Sequence, residues 1–391
     1  MNLFRTLMAA AASSAVVPGL IGLALVAAPS NAYSAVFVVK DGDSIQDAVD
    51  LASPGDTIKV KPGTYTGMPG YGYDSVVTIV KDDITIIGSP GSVIDATGFE
   101  YGIMVGDDAP IGPAGCPPIT VNDFKIKGFT IQNAENAGLL LIGVDGYRIT
   151  HGVYLNNGDY GLFPICSTDG LIAHNFASGH TEAAIYVGED DGVVVRNNTV
   201  TQSLIGIEIE NSVDALVRHN SVTANTTGIL VVVFPGLPFP FAQDIRIEHN
   251  VVVGNNRTNL IDPAAGPLGL IPSGTGILNI GGDRVSFEHN VILSNDTVGL
   301  AIVGNFFAFL DARIEPFVDD NVVRKNRILG NGASPDPGQP FPGGDIVFIP
   351  DVVDPFFGNL PLPDPDPTDN CFSDNVFGTD FPPGIVALFP C

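Results

Sequence analysis

Two carboxylates two residues apart on one β-strand share a face, with their Cα atoms about 7 Å apart. Glu208 and Glu210 stand so in Gly206-Ile207-Glu208-Ile209-Glu210. Tyr186 falls one repeat earlier, roughly 5 Å away if the repeats stack as neighbouring strands. Such a pair could serve as acid and base on a sugar, or as oxygen ligands for Ca²⁺. The blander arrangement is a polar notch at a loop edge, with Glu208 bonded to Tyr186 and Glu210 to a backbone amide. His180 joins the group as a histidine in a position that other repeats give to Asn or Ser, where it could act as a base or simply as a hydrogen-bonder. Glu189-Asp190-Asp191 is the densest acidic turn. Three side chains with carbonyls and water could meet the six to eight oxygens that Ca²⁺ takes, although no calcium-loop spacing is present.

What must position these residues is a repeat. Gly161–Asn175, Ala184–Asn198 and Gly206–Asn220 are copies of one pattern, and Gly228 opens the next. It runs small residue, apolar, any, apolar, an Asp-containing turn, a Val/Ile run and an Asn. The spacing of about 22 residues is too short for a helical hairpin and suits one turn of a β-solenoid. One column aligns Gly128, Gly152, Asn175, Asn198, Asn220, Asn250, Asn290 and Asn326. A second, five residues on, aligns Asn133, Asn157, His180, Ser203, Asn225, Asn255, Asn295 and Asn331. Stacked Asn side chains can hydrogen-bond along the axis and tolerate a left-handed turn. His151, His174, His219, His249 and His289 recur just before the first column, and Asp145, Asp169, Asp191, Asp214, Asp244 and Asp283 recur at the turn before the Val/Ile run. Residues repeated in register belong to the coil.

The columns that break are more informative. The first outward column reads Leu140, Phe163, Tyr186, Glu208, Leu230, Leu278, Ala301, and the second Ile142, Ile165, Gly188, Glu210, Val232, Ile280, Val303. Inward positions such as Ile185, Ile207 and Ile229 are apolar too, a pattern parallel strands show when both faces are covered. Two insertions, Phe234–Gln243 and Arg257–Thr275, are expected to roof this strip, since an exposed one would be a sticky patch. Glu208 and Glu210 then need partners or raised pKa values.

Composition sets the surroundings. Met1–Arg5 followed by apolar Thr6–Val26 and Ser30-Asn31-Ala32 reads as a signal peptide over residues 1–32; Pro18, Gly19 and Pro29 weigh against an uncleaved anchor. No later apolar run approaches 18 residues, so no membrane span is expected in the mature chain, and its expected location is secreted or periplasmic. The full chain carries a formal charge of −26, which makes nucleic acid and anionic membranes poor partners. A polyanionic polysaccharide would be repelled unless Ca²⁺ bridged it. Four cysteines allow two disulfides; Cys371–Cys391 and Cys116–Cys166 are the expected pairs, with Cys166 a buried thiol if the second fails geometry. Ser44 is placed to cap a short helix burying Ile45, Ala48, Val49 and Ala52, which would close the open end of the solenoid. The organisation expected is 33–332 for the solenoid with its N-terminal cap, and 333–391 for an irregular Pro/Asp-rich wrap and cap.

Asp43-Ser44-Ile45-Gln46-Asp47-Ala48-Val49 with Pro62-Gly63-Thr64-Tyr65 resembles the first turn of pectin-lyase-like proteins. Ala184-Ile185-Tyr186-Val187-Gly188, the Gly206–Ser212 segment and Asn225-Thr226-Thr227-Gly228-Ile229-Leu230 resemble exported bacterial β-helix-repeat proteins of largely unassigned function. The likeness covers roughly residues 120–330 and implies a single right-handed parallel β-helix and export, and hardly any activity. Where alginate epimerases carry Tyr-Gly-x-Asp-Pro-His, this chain has Tyr160-Gly161-Leu162-Phe163-Pro164-Ile165, without the acid or the histidine. The Asp-Asp and Gly-His-Gly pattern of polygalacturonases is also incomplete: Gly179-His180 precedes Asp190-Asp191 and no Gly follows the histidine. Pectate lyases need basic residues, but Arg196, Arg218 and Arg324 recur at one coil position, as a structural stack would. Two functions remain open. One is binding of a carbohydrate, or of a cell-envelope or extracellular protein, along the roofed face. The other is a polysaccharide hydrolase, lyase or epimerase using Glu208, Glu210, Tyr186 and His180.

Overall fold

A computed structural model describes residues 34–67, 74–107, 110–338, 341–352 and 362–391. The expected signal peptide lies outside them. Among the described residues three parallel sheets of 12, 11 and 11 strands run the length of the molecule. Each coil contributes one short strand to each sheet. The strand that begins a repeat, six residues long in Ala183–Gly188, Ile205–Glu210 and Thr227–Val232, lies in the third sheet.

The alternation of these strands sets the core. Ile185, Ile207, Ile229 and Ile277 pair in register and are fully buried inside the coil. Tyr186, Glu208, Leu230, Leu278 and Ala301 pair in register on the opposite face, as do Gly188, Glu210, Val232, Ile280 and Val303. The outward columns read from the sequence are therefore the real register.

Both Asn ladders form. Asn250 Nδ2 donates to Asn290 Oδ1 at 3.1 Å and to the Val217 carbonyl at 2.9 Å, while its Oδ1 accepts from the Asn220 amide at 3.0 Å. The same three-way pattern repeats along Asn175, Asn198, Asn220 and Asn290. These amides are buried and satisfied, which is the condition for polar groups inside a solenoid. The histidines one residue earlier take the left-handed conformation, with φ between 54° and 59°, and stack outside. Ring centroids are 5.1 Å apart for His151 and His174 and 4.7 Å for His249 and His289.

The N-terminal helix Ile45–Leu51 is capped by Ser44, whose Oγ accepts from the Asp47 amide at 3.1 Å. Its Gln46 side chain bonds both backbone groups of Thr78, at 2.7 and 3.1 Å. Thr78 lies on Ser75–Ile79, the edge strand of the third sheet, so one amide side chain stands in for the missing strand.

The expected boundary at 332 is corrected. Gly344–Ile349 adds a strand to the third sheet, and Cys371–Ser373, Val376–Phe377 and Asp380–Phe381 extend all three sheets beyond it. Pro335, Pro337, Pro342, Pro363, Pro365 and Pro367 fall in excursions between strands, where a missing N–H costs no ladder bond. Cys116–Cys166 and Cys371–Cys391 are both bonded.

Candidate functional site

The outward face of the third sheet is covered along the described coils. Toward the N-terminal end, Met104, Leu140, Ile142 and Ile165 are buried around the Cys116–Cys166 link. Further along, the 234–243 and 257–275 insertions close over the sheet as expected. They do not do so alone. Phe306 and Phe307, in the turn Phe306–Phe309, and Phe341 complete the roof. Between roof and sheet lies a cavity of about 440 Å³. Its floor is Leu230, Val232, Leu278, Ile280 and Val303, and its roof includes Phe234, Leu237, Leu268 and Ile271.

Asn211 holds one roof segment down. Its Oδ1 accepts from the Phe234 amide at 2.7 Å, and its Nδ2 donates to the Phe234 carbonyl at 2.9 Å and to the Phe239 carbonyl. The residue is fully buried. Asn211→Ala is expected to cost about 2 kcal/mol of stability, because backbone groups are left unpaired under the roof. Limited proteolysis should then cut first within 234–243.

The polar groups gather at one wall. Glu208, Glu210 and Tyr186 are together there, with Tyr160 and Glu182 added. Tyr186 leans across Gly188, where a side chain would collide with its ring, and its hydroxyl donates to Glu210 Oε1 of the next coil at 2.8 Å. The pairing is thus Tyr186 with Glu210, not Tyr186 with Glu208. Glu208 and Glu210 lie close enough to influence one another's ionisation, as do Glu182 and Tyr160. One oxygen of Glu208, Oε2, is buried without a partner in a residue only 3% exposed. Tyr160, Phe163 and Tyr186 form an aromatic cluster, with centroids 4.1 to 5.2 Å apart, behind the acids.

Electrostatics follow from this crowding. Burial pushes Glu182 up to about 8, with the nearby Glu210 and Asp159 charges adding and Tyr160 opposing. Burial raises Glu210 to about 7 against the hydrogen bond from Tyr186 and the nearby Glu208. Glu208 lies well above the ordinary carboxylate range, first through burial and then through Glu210 and Glu182. Among the described lining residues there is no Lys, Arg or His.

His180 is not brought to this wall. It lies inside the coil as a rung of the second ladder, 3% exposed, with Nδ1 3.1 Å from the Asn157 carbonyl and its amide donating to Ser203 Oγ at 3.2 Å. Its ring packs against Gly161. Burial lowers its pKa to about 4, which keeps it neutral.

The acidic turn is also corrected. Glu189 takes a left-handed backbone, with φ 48°, and the three side chains diverge. Asp190 is fully buried and accepts from the Tyr147 hydroxyl at 2.9 Å, whereas Asp191 is exposed. Glu189 is buried, and neither of its oxygens has a partner. Among the described residues no group of three or more His, Cys, Asp or Glu is placed to hold a metal ion. Glu189, Asp190 and Asp191, the possible Ca²⁺ ligands of the sequence, are thus not brought to a common point.

Sequence reasoning missed Glu182 and Tyr160. Glu182 occupies a turn position that neighbouring coils fill with Asn136, Asp159 and Leu204, so no regular column marks it as an interruption.

This roofed, stacked architecture defines a right-handed parallel β-helix protein. Residues 119–307 match the family described as a right-handed beta helix region. A search of curated protein sequences finds no match. Among solved structures, the A-module of a mannuronan C-5 epimerase from Azotobacter vinelandii is similar, with TM-score 0.54 and 14% identity over 85% of this chain and 88% of that one. A family 28 exopolygalacturonase from Yersinia enterocolitica is similar with TM-score 0.52 and 14% identity over 76% of this chain and 66% of that one. An alginate lyase from a Paenibacillus species aligns with TM-score 0.50 and 15% identity over 75% of this chain and 94% of that one. The likeness is one of fold, a right-handed parallel β-helix.

Proposed function

We propose that the protein is an exported binding protein whose ligand enters the cavity between the third sheet and its roof. The observation that carries this reading is the division of the lining, with a long apolar floor and roof and hydrogen-bonding groups at one wall. A cavity of about 440 Å³ with this distribution has the size and character of a small-molecule site. A glycan chain would present hydroxyls to the apolar walls, each losing water without a partner. A compact ligand with an apolar body and one polar head suits them better. The acids also argue against sugar cleavage. Glycosidase carboxyl pairs flank the bond they cut, whereas Glu208 and Glu210 project from one face of a single strand. Export is supported by two disulfides, which persist in oxidising compartments. No helix among the described residues is long and apolar enough to cross a membrane.

A glycan panel assayed for new reducing ends, unsaturated uronate absorbance and epimer ratio should show no turnover. Small amphiphilic molecules should raise the melting temperature. Turnover that disappears in Glu210→Gln would replace this reading with the enzymatic one.

A further inference from the structure

The acid wall selects among ligands that the cavity could hold. Glu182, Glu208, Glu210 and Asp351 line it, and Glu189 is near enough to feel the Glu210 charge. No cationic side chain lines the cavity among the described residues. Buried acids of native proteins ordinarily find a cation or a full set of hydrogen-bond donors. Here Glu208, one of the lining residues, is 3% exposed, with its Oε2 buried and unpartnered. The rings of Tyr160 and Tyr186 flank the same wall, and aromatic faces attract cations.

We propose that the ligand is an organic cation, a single ammonium group on a compact apolar body, with the ammonium against Glu208 and Glu210 and the body over Leu230, Leu278 and Phe307. The inference rests on the cavity being a binding site and adds the charge of what binds there. Ammonium donors would satisfy Glu208 Oε2, and the positive charge would take the place of a proton. Burial leaves Glu210 titrating at about 7 and Glu182 at about 8, so at neutral pH the wall carries a proton to give up. That proton passes to the buffer as the N–H···O contacts form. A carboxylate ligand would meet only like charge, and a chain of formal charge −26 also draws cations to its surface.

Three probes of matched length separate the claims: octylammonium, octan-1-ol and octanoate, titrated calorimetrically at neutral pH and physiological ionic strength. Octylammonium is expected to bind with one-to-one stoichiometry at least about tenfold more tightly than octanol, and octanoate not at all. Its measured heat should vary with the ionisation enthalpy of the buffer, as release of about one proton requires. In the doubly substituted Glu208→Gln, Glu210→Gln protein, octanol binding should persist while the advantage of the ammonium is lost. Octanol binding as well as octylammonium to the unsubstituted protein would overturn the cation and leave the cavity reading standing. Binding of none of the three would overturn both. The wild-type comparison decides the matter even if the double variant does not fold. Val303→Phe, which narrows the floor, separates cavity binding from adsorption to the acidic surface: octylammonium bound equally by that folded variant would overturn the proposal.

Discussion

Raising the pH from about 5 to about 9 should destabilise this protein by on the order of 5 kcal/mol, opposite to the usual gain on leaving acid. Glu189 shows why. It is 1% exposed with neither oxygen partnered, and burial, then the Glu210 and Asp190 charges, raise it from 4.5 to about 9. The unfolded chain releases this proton from about pH 4.5 upward while the folded one retains it. Its contribution is therefore fully present below the unfolded value and is lost as pH rises toward the folded one. Each such group costs about 1.4 kcal/mol per pH unit within its window. Glu210, at about 7, and Glu182, at about 8, act in the same direction. Because they face one another and Glu208, their effects add to less than the sum. His180 acts oppositely. Its depressed value, about 4, removes stability as pH falls below 6.5, but it is one group against several. Thermal melts should thus give the highest melting temperature near pH 5. Glu189→Gln should gain about 5 kcal/mol at pH 9 relative to its effect at pH 5. A melting temperature that is flat or rising across this range would refute the burial of protonated acids.

Asn250→Ala should be the most damaging single truncation in the ladders, at about 4 kcal/mol. It removes bonds to the Val217 carbonyl, to Asn290 and to both nitrogens of Asn220, all within the coil. The partners cannot reach water, so their desolvation is left uncompensated. Next to it, His249 lies on the outside in a left-handed backbone, φ 56°, a conformation that Asn also tolerates. His249→Asn should therefore change stability by no more than about 0.5 kcal/mol. Urea titrations of the two variants compare a buried rung with an exposed one. Equal effects would contradict the division between ladder and surface.

Much of this was legible because a solenoid repeats its demands. The Asn ladders and both outward columns could be aligned from spacing, and strand pairing reproduces them, from Tyr186 beside Glu208 to Ile280 beside Val303. Glu208 and Glu210 stood out as charges in apolar columns. Legibility stopped where side-chain direction depends on one backbone torsion. Glu189-Asp190-Asp191 reads as a cluster, yet the left-handed Glu189 sends Asp190 inward to Tyr147 and leaves Asp191 in water. It also stopped where period was lost. Phe306 and Phe307 lie in the irregular stretch between Val303 and Asn326, and Phe341 lies beyond the last aligned residue, Asn331, so their part in the roof carried no positional signal. His180 broke a column, but inside the coil, where a ring substitutes for an amide as a hydrogen-bonder.

The central claim is that the space between the third sheet and its roof binds a ligand. Titration with a neutral fluorescent probe such as N-phenyl-1-naphthylamine, on the wild type and on Val303→Phe, tests it directly. One saturable, blue-shifted site is predicted in the wild type, and none in the variant at unchanged melting temperature. No binding to the wild type, or equal binding to the folded variant, would contradict it.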